Sequence, residues 1–498
     1  MNNASPTPEE IRGALLSSLP GNDDASWQVT REPQFTYVPP SHARALDPES
    51  VLVEGIRGAG KSFWWAALNS KEHRDFVRAA YPETHLPENM TVSQGFGASV
   101  PPEKAPSKDV LQKLACQSDA NCRHIWRAVV ATHTGFNAPF PQTGKWEEKV
   151  NWVVAHPEEY DTLLHDADSR AAAQGKIHLI MFDALDRLAD NWEKIRPLAK
   201  ALFQVALDLR SFRAIRMKLF VRPDMLKDEE ILAFPDASKL LARRVSLNWR
   251  RADLYALLFQ CLGNATTGGK SFRERSMLSS NRLFKPKWGK NAGAWVLPAK
   301  LRTDEEHQRT VFHTISGPTM GAGPSGHKRG LPYTWLANHL VDGRDQVSPR
   351  SFTAALRHAV SEELPAGWPY ALHFKAIQTG VQEASRVRVR EITEDYPWVE
   401  QLMNPLRGNI TVPCSARDIL RIWKKDKIIE NSILNDQKLG TLVVLKTPPH
   451  LYEGPEAVLN DLVDLGLVQR LTDGRIQMPD VYRIAFGLGR RGGVKPLR

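Results

Sequence analysis

Apolar and polar positions along the first half of the chain fall into blocks that predict strands taking turns with helices. Val51-Leu52-Val53 is a short apolar run, a glycine-rich turn follows it, and Phe63 to Leu68 reads as the start of a helix. Ile177 to Phe182 is a continuous apolar run of strand length, Met217 to Val221 is another after the helical pattern Trp192 to Leu209, and Val245 to Trp249 offers a third. Strands that are apolar throughout, and that alternate with helices, predict an α/β fold whose parallel sheet is covered on both faces. Between about 72 and 170 the pattern is helical and broken by Pro- and Gly-rich loops at Gly95 to Pro106 and Gly135 to Gly144. It predicts a helical insertion within a core spanning 49–250.

The flanking regions read differently. Residues 1–48 are rich in Pro, Ser and Asn and include Pro39-Pro40, which predicts an arm leading into the first strand. From Asp253 to about 400 the pattern is helical, a lid interrupted by a basic, Gly-containing stretch at 263–330. Ser348-Pro349-Arg350 opens one of its helices, with Ser348 as N-cap and Pro349 at the first helical position. In 401–498 a helix over Ala457 to Leu465 is followed by Gly466, Leu467 to Leu471, the turn Thr472-Asp473-Gly474 and Arg475 to Met478. A helix followed by an Asp-Gly hairpin predicts a winged-helix-like domain.

A chain of 498 residues exceeds the size of one compact core, so several domains are expected. No stretch approaches the roughly 20 apolar residues of a membrane span, and the start MNNASPTPEEIRG lacks the basic and apolar regions of a secretory signal. These features, with cysteines only at Cys116, Cys122, Cys261 and Cys414, predict a cytoplasmic protein with reduced thiols and no membrane partner. The formal charge of +10 favours an anionic partner. Lys270 to Arg302 holds nine Lys or Arg against Glu274 alone, and Arg483 to Arg498 holds five and no acid.

Gly55-Ile56-Arg57-Gly58-Ala59-Gly60-Lys61-Ser62 fits G-x-x-x-x-G-K-[ST] in full, a match that chance produces in about one chain of this length in a hundred. Its place after an apolar strand and before a helix decides the reading. Backbone amides from Gly55 to Phe63 and the helix N-terminus suit phosphates, Lys61 suits the β and γ phosphates, and Ser62 suits Mg²⁺. ATP and Mg²⁺ are therefore the expected cofactors. A P-loop also needs an acid at a neighbouring strand end, because Mg²⁺ takes hard oxygen ligands. Ile177 to Phe182 ends in Asp183, the metal-side carboxylate, and Asp186 is the candidate to orient or deprotonate the attacking water.

GIRGAGKS together with FDALDRL resembles the additional-strand P-loop ATPases, the group that holds AAA+ and the signal-transducing STAND and KAP ATPases, over roughly residues 40–360. The resemblance implies ATP hydrolysis, often in a homo-oligomer. Ala184 stands where an AAA+ catalytic Glu follows the metal Asp, which implies slow, switch-like turnover controlling a protein partner or effector. Arg222, after Met217 to Val221, lies where the group places its first sensor, and Arg350 resembles the second sensor, which touches the γ-phosphate from the lid. Arg243 and Arg244 are candidates for a finger acting from a neighbouring subunit, and Arg187 is expected to be structural. Bacterial ATPases of this kind serve in antiphage modules.

Two further patterns stand apart from the nucleotide motifs. Cys116, Cys122 and His124 lack the pairing and the second ligand pair of a zinc site. The basic stretch 270–302 interleaves Phe272, Phe284, Trp288 and Trp295 with its cations, a pattern that suits DNA phosphates and bases but equally a loop pinned by its aromatics. With the winged-helix-like region 401–498 it supports an alternative, a DNA-binding AAA+-like ATPase of initiator or transposition-regulator type.

Overall fold

The computed structural model describes residues 7–21, 32–115, 119–142, 144–190, 192–278, 287–432, 448–491 and 494–497. The chain divides into two compact units, one of Trp27–Thr30 and Val38–Asn248, the other of Met1–Ser26, Arg31–Tyr37 and Trp249–Arg498.

The first unit is an α/β domain around a five-stranded sheet. Its strands are β1 (Leu52–Glu54), β2 (Met90–Phe96), β3 (Ile177–Phe182), β4 (Ile215–Val221) and β5 (Val245–Ser246). The spatial order is β2-β3-β4-β1-β5, and every neighbouring pair is parallel. The continuous apolar runs are explained by burial on both faces. Ile180 and Phe182 of β3 and Ile215, Met217, Leu219 and Val221 of β4 join one core with the helices Asp119–Thr134 and Trp192–Asp208. The intervening Leu179, Met181 and Phe220 are buried as well but lie outside that core. Trp126 stands edge-on to Phe96 and Phe182, at 6.1 and 5.7 Å between centroids, and its indole N–H donates to Leu198 O at 2.8 Å.

β2 corrects the expected helical insertion at 72–170. The helix Lys71–Ala80 leads into a sheet strand, and only Lys108–Ala115, Asp119–Thr134, Trp146–Ala155 and Pro157–Ala173 form the helical connection to β3. The sequence pattern does not show this strand, because it lies at the sheet edge with Thr91 exposed and Ser93 and Gln94 half-buried, so polar residues interrupt its apolar ones. Asp168, on the last of those helices, accepts the backbone N–H groups of Arg213, Ala214 and Ile215 at 3.0, 2.7 and 3.0 Å and so fixes the start of β4. Burial pushes this carboxyl up, but the three amide bonds outweigh it and hold it below the usual carboxylate range.

Lys218 points to the face opposite that core. Fully buried, it donates to the carbonyls of Ala45 at 2.7 Å, Asp47 at 2.8 Å and Ser50 at 2.6 Å, and burial pushes its ammonium down to about 7. It thereby ties the segment after the helix Pro40–Leu46 to the middle of the sheet.

The second unit is mainly helical. Part of the expected N-terminal arm is built into it: the helix Pro8–Ser18 carries a Thr7–Glu10 capping box and buries Ile11, Ala14 and Leu15 completely. In the expected lid, Tyr255 of the helix Arg251–Gly263 stacks on Tyr333 at 4.2 Å and meets Phe312 and Phe352 edge-on. The stretch expected to interrupt the helices instead contains Gly269–Leu278, the hairpin Gly289–Asn291 with Ala294–Val296, Ala299–Thr303 and Glu305–Ser316. Ser348 sits at the N-cap of Pro349–Ser361, yet its side chain makes no capping bond.

Toward the C-terminus the helix Ala416–Lys425 follows the strand Thr411–Val412, which pairs in parallel with Gly489–Arg490. The helix Pro455–Asp464 leads through Gly466 at φ 74° into the antiparallel hairpin Gln469–Arg470 and Ile476–Gln477, closed at Asp473-Gly474. Cys414 bridges to Ile476, so the hairpin and the strand segment before Ala416 are hydrogen-bonded neighbours. No described helix is long and apolar enough to cross a membrane.

Candidate functional site

Three adjacent strand ends converge at one edge of the sheet: β1 releases the chain at Gly55, β3 at Asp183 and β4 at Arg222. Gly55 N–H donates to Val221 O at 3.1 Å, which anchors the loop to the end of β4. Gly58 and Gly60 then take φ of 77° and 105°, a left-handed backbone that an L side chain adopts only under strain. At Gly60 an added Cβ would meet nothing within 4 Å, so conformation and not space demands glycine there. Gly60 is also the N-cap of Lys61–Asn69, and no side chain caps that helix. Its first-turn amides at Lys61, Ser62 and Phe63 are donors that the helix itself cannot satisfy.

Lys61 folds back over the loop and donates to Gly55 O at 2.6 Å and Ile56 O at 3.1 Å. Burial pushes its ammonium down to about 8; Asp183 opposes that shift and Arg222 adds to it. Asp183 is buried, accepts a hydrogen bond from the Ser62 hydroxyl, and is pushed above the usual carboxylate range by burial, against the opposing effects of Ser62 and Lys61. A buried carboxylate beside a hydroxyl, disfavoured as an isolated anion, fits a hard divalent cation. Among the described residues no group of three or more His, Cys, Asp or Glu is placed to hold a metal. Ser62 and Asp183 are the side chains that would hold such a cation.

Beyond Asp183 the chain turns through Ala184 at φ 56° into the short 3₁₀ turn Leu185–Arg187. That left-handed residue aims Asp186 at Arg222, whose Nη1 donates to Asp186 Oδ2 at 3.1 Å. Arg222 also holds Asp224 in a two-pronged pair at 3.2 Å. Asp224 was overlooked in the sequence, although its place two residues after a strand-end arginine, across Pro223, was a usable signal. So was Glu54, the last residue of β1: it accepts from Ser246 Oγ at 3.0 Å and faces Arg244 Nε at 3.6 Å.

The remaining candidates divide. Arg244 is engaged with Glu54, while Arg243 and Arg187 are exposed. Phe63 is half-buried and packs edge-on against Trp64, whose indole donates to His42 Nδ1 at 3.0 Å; Arg57 is half-buried in the loop. Arg350 belongs to the second unit, where it pairs with Glu391. Cys116 lies outside the described residues, and Cys122 is a buried thiol.

Three aromatics of the basic stretch pack against neighbouring side chains. Phe272 is fully buried, Trp288 meets it edge-on and donates to Ser276 Oγ at 2.9 Å, and Trp295 lies under the Arg273 guanidinium at 4.3 Å, while Phe284 lies outside the described residues. Phe272 is therefore closed to a base. In the basic tail Arg483 is fully buried against Asp480, and Arg490 reaches the same carboxylate. Arg490, Arg491 and Lys495 of the tail are exposed, and the helix Ala416–Lys425 exposes four cations along one face: Arg417, Arg421, Lys424 and Lys425. The helix Pro455–Asp464, by contrast, exposes Glu456, Asn460 and Asp464 and carries no cation.

The chain is similar to the ORC2 protein of Aeropyrum pernix in its ADPNP–ADP complexes, at 12% identity over 91% of this chain and 94% of that one, with a TM-score of 0.39. It is also similar to Cdc6p of Pyrobaculum aerophilum, at 11% identity over 92% and 94% of the two chains, with a TM-score of 0.29. No family model matches the chain, and no curated protein does.

Proposed function

We propose that this chain is a P-loop ATPase of the AAA+ group that binds ATP and Mg²⁺ at Gly55–Ser62 and Asp183 and couples nucleotide state to a partner. The observation that carries the proposal is the meeting of Lys61, Ser62 and Asp183 at the ends of β1 and β3, with β4 inserted between those strands. A left-handed glycine loop opening a helix whose first turn has no side-chain cap is a phosphate cradle, and a buried acid facing it suits the metal. When bound, Mg²⁺ supplies charge neutralisation at the phosphate oxygens.

The chain's own groups then divide the work. First-turn amides and Lys61 hold phosphate oxygens, and Lys61 exchanges its two loop carbonyls for them. Asp186 orients water, with Arg222 fixing its carboxylate. No second acid follows Asp183 directly, because Ala184 occupies that position and Asp186 is shared with Arg222. Turnover is accordingly slow, and the protein acts as a cytoplasmic switch on a partner effector, assembling as a homo-oligomer with Arg243 as the finger. A role in a bacterial antiphage module is the finer form of this reading and rests on the resemblance of the loop and strand motifs.

The test is an equilibrium titration of ATP with and without Mg²⁺. Wild type should gain about tenfold or more in affinity from the metal. Asp183→Asn should lose most of that gain while still binding metal-free ATP. An undiminished magnesium effect in Asp183→Asn removes Asp183 from the site.

The exposed cation face of Ala416–Lys425 favours a second reading, in which the partner is duplex DNA. Neutralising four phosphates would make log affinity fall with log salt at a slope of roughly −3 to −4. Changing Arg417, Arg421, Lys424 and Lys425 together to Gln should flatten that slope. A wild-type slope near zero excludes this reading.

A further inference from the structure

The five-stranded sheet has two unequal edges. At one edge β5 is two residues long, whereas at the other β2 runs for seven, from Met90 to Phe96. A long edge strand is usually guarded by a charge, a proline or a bulge, because its unpaired N–H and C=O groups template pairing with another chain. Met90-Thr91-Val92-Ser93-Gln94 carries no charge and no proline, and the register to β3 shifts only after Gln94.

The ladder decides which groups face outward. Met90 lies opposite Ile177, whose N–H donates to Asn89 O at 2.9 Å. In a parallel pair alternate residues direct both backbone groups to the same neighbour, so Thr91 and Ser93 bond to β3 while Met90 and Val92 point away from it. Among the described residues no hydrogen bond reaches the outward N–H and C=O of Met90 or Val92.

Around the start of this edge lies a cleft of about 190 Å³, to which Met90 and Thr91 contribute. The helix Lys71–Ala80 lines it with Lys71, Arg74, Asp75 and Arg78, the loop before β2 with Glu88, and the residue before β3 with Lys176. Arg78 is engaged by Asp75 at 2.9 Å and by the carbonyls of Leu86 and Pro87 at 3.2 and 3.0 Å. Arg74 gives one bond, from Nη1 to Leu68 O at 2.6 Å. Among the described residues the ammonium groups of Lys71 and Lys176 have no partner. Four cations against two carboxylates leave the cleft with positive charge in excess.

We propose that the outer edge of β2 takes an extended acidic segment of a partner protein as an added strand, with its carboxylates in this cleft. Pairing to Met90 and Val92 sets the register, and acids two positions apart in an extended chain fall on one face. The cations select the sign of the partner. A second copy of this chain offers only the same neutral edge, with no carboxylate to answer Lys71 and Lys176. The cleft sits at the end of the strands opposite Asp183, so docking there owes nothing to the nucleotide site.

The experiment follows short fluorescent peptides by anisotropy against the full chain. One alternates Glu with Val, a second alternates Lys with Val, and a third is the Glu–Val peptide N-methylated throughout, which cannot donate to a ladder. Wild type should bind the first saturably and about tenfold or more tighter than either control. Lys71→Glu with Lys176→Glu should weaken that binding by about tenfold or more. Val92→Pro, which deletes an outward N–H and keeps the bonds to β3, should weaken it by about fivefold.

No saturable binding of the Glu–Val peptide by wild type overturns the added strand. Equal binding of the N-methylated peptide reduces the cleft to a charged patch and overturns it too, as does equal binding of the Lys–Val peptide or an affinity unmoved by the two charge reversals. Should Val92→Pro fail to fold, the N-methylated peptide decides the backbone pairing alone.

Discussion

Lys61→Met is expected to lower ATP affinity by about two to three orders of magnitude, or about 3–4 kcal/mol, while leaving the fold intact. The ammonium donates to two loop carbonyls, Gly55 O and Ile56 O, and a methionine forfeits little that holds the domain together. Against a triphosphate the same ammonium makes charge-assisted bonds that no neutral side chain replaces. Isothermal titration with ATP and Mg²⁺, beside a circular dichroism spectrum of the variant, measures both. An affinity within about threefold of wild type would remove Lys61 from the phosphate site.

The same group sets a pH dependence. Burial leaves the Lys61 ammonium titrating near 8. Below that pH it is charged and ready for phosphate. Above it, binding must take a proton up from solvent, so affinity falls as pH rises through about 8, by up to about tenfold per unit. The Lys61→Met variant should show no such fall between about pH 7.5 and about pH 9.5, and the difference between the two profiles isolates the lysine.

Lys218→Met is expected to destabilise the first unit by about 3–5 kcal/mol. Methionine fills much of the same volume, but it leaves the carbonyls of Ala45, Asp47 and Ser50 without the donor they share. An unpaired buried carbonyl costs about 1–3 kcal/mol, and relief from burying a cation offsets only part of the sum. Urea denaturation followed by circular dichroism should show the midpoint fall with an unchanged slope. A shift below about 1 kcal/mol would mean that the segment 45–50 finds other donors.

The parts of this architecture that the sequence made legible are those written contiguously. GIRGAGKS encodes a turn, a glycine conformation, a lysine and a hydroxyl within eight successive positions, and Ile177 to Asp183 encodes a strand and its terminal acid in seven. β3, β4 and the helix Trp192–Asp208 were legible for a related reason, since burial on both faces leaves unbroken apolar runs. β2 was not, because an edge strand keeps polar residues and imitates a loop. Nor were the pairings of Arg222 with Asp186 and of Arg350 with Glu391, because the partners lie 36 and 41 positions apart and only the fold brings them into contact. Phe272 shows a different limit: an aromatic among cations reads the same whether it stacks on a base or seals a helix, and burial alone decides.

The anchor from Gly55 N–H to Val221 O makes the phosphate loop and the strand tip before Arg222 a single mechanical piece. A displacement of the loop by a fraction of an ångström drags the backbone that aims Arg222, and with it the grip on Asp186 and Asp224. On the proposed ATPase reading, the ends of β1 and β4 are where a change of nucleotide is felt together.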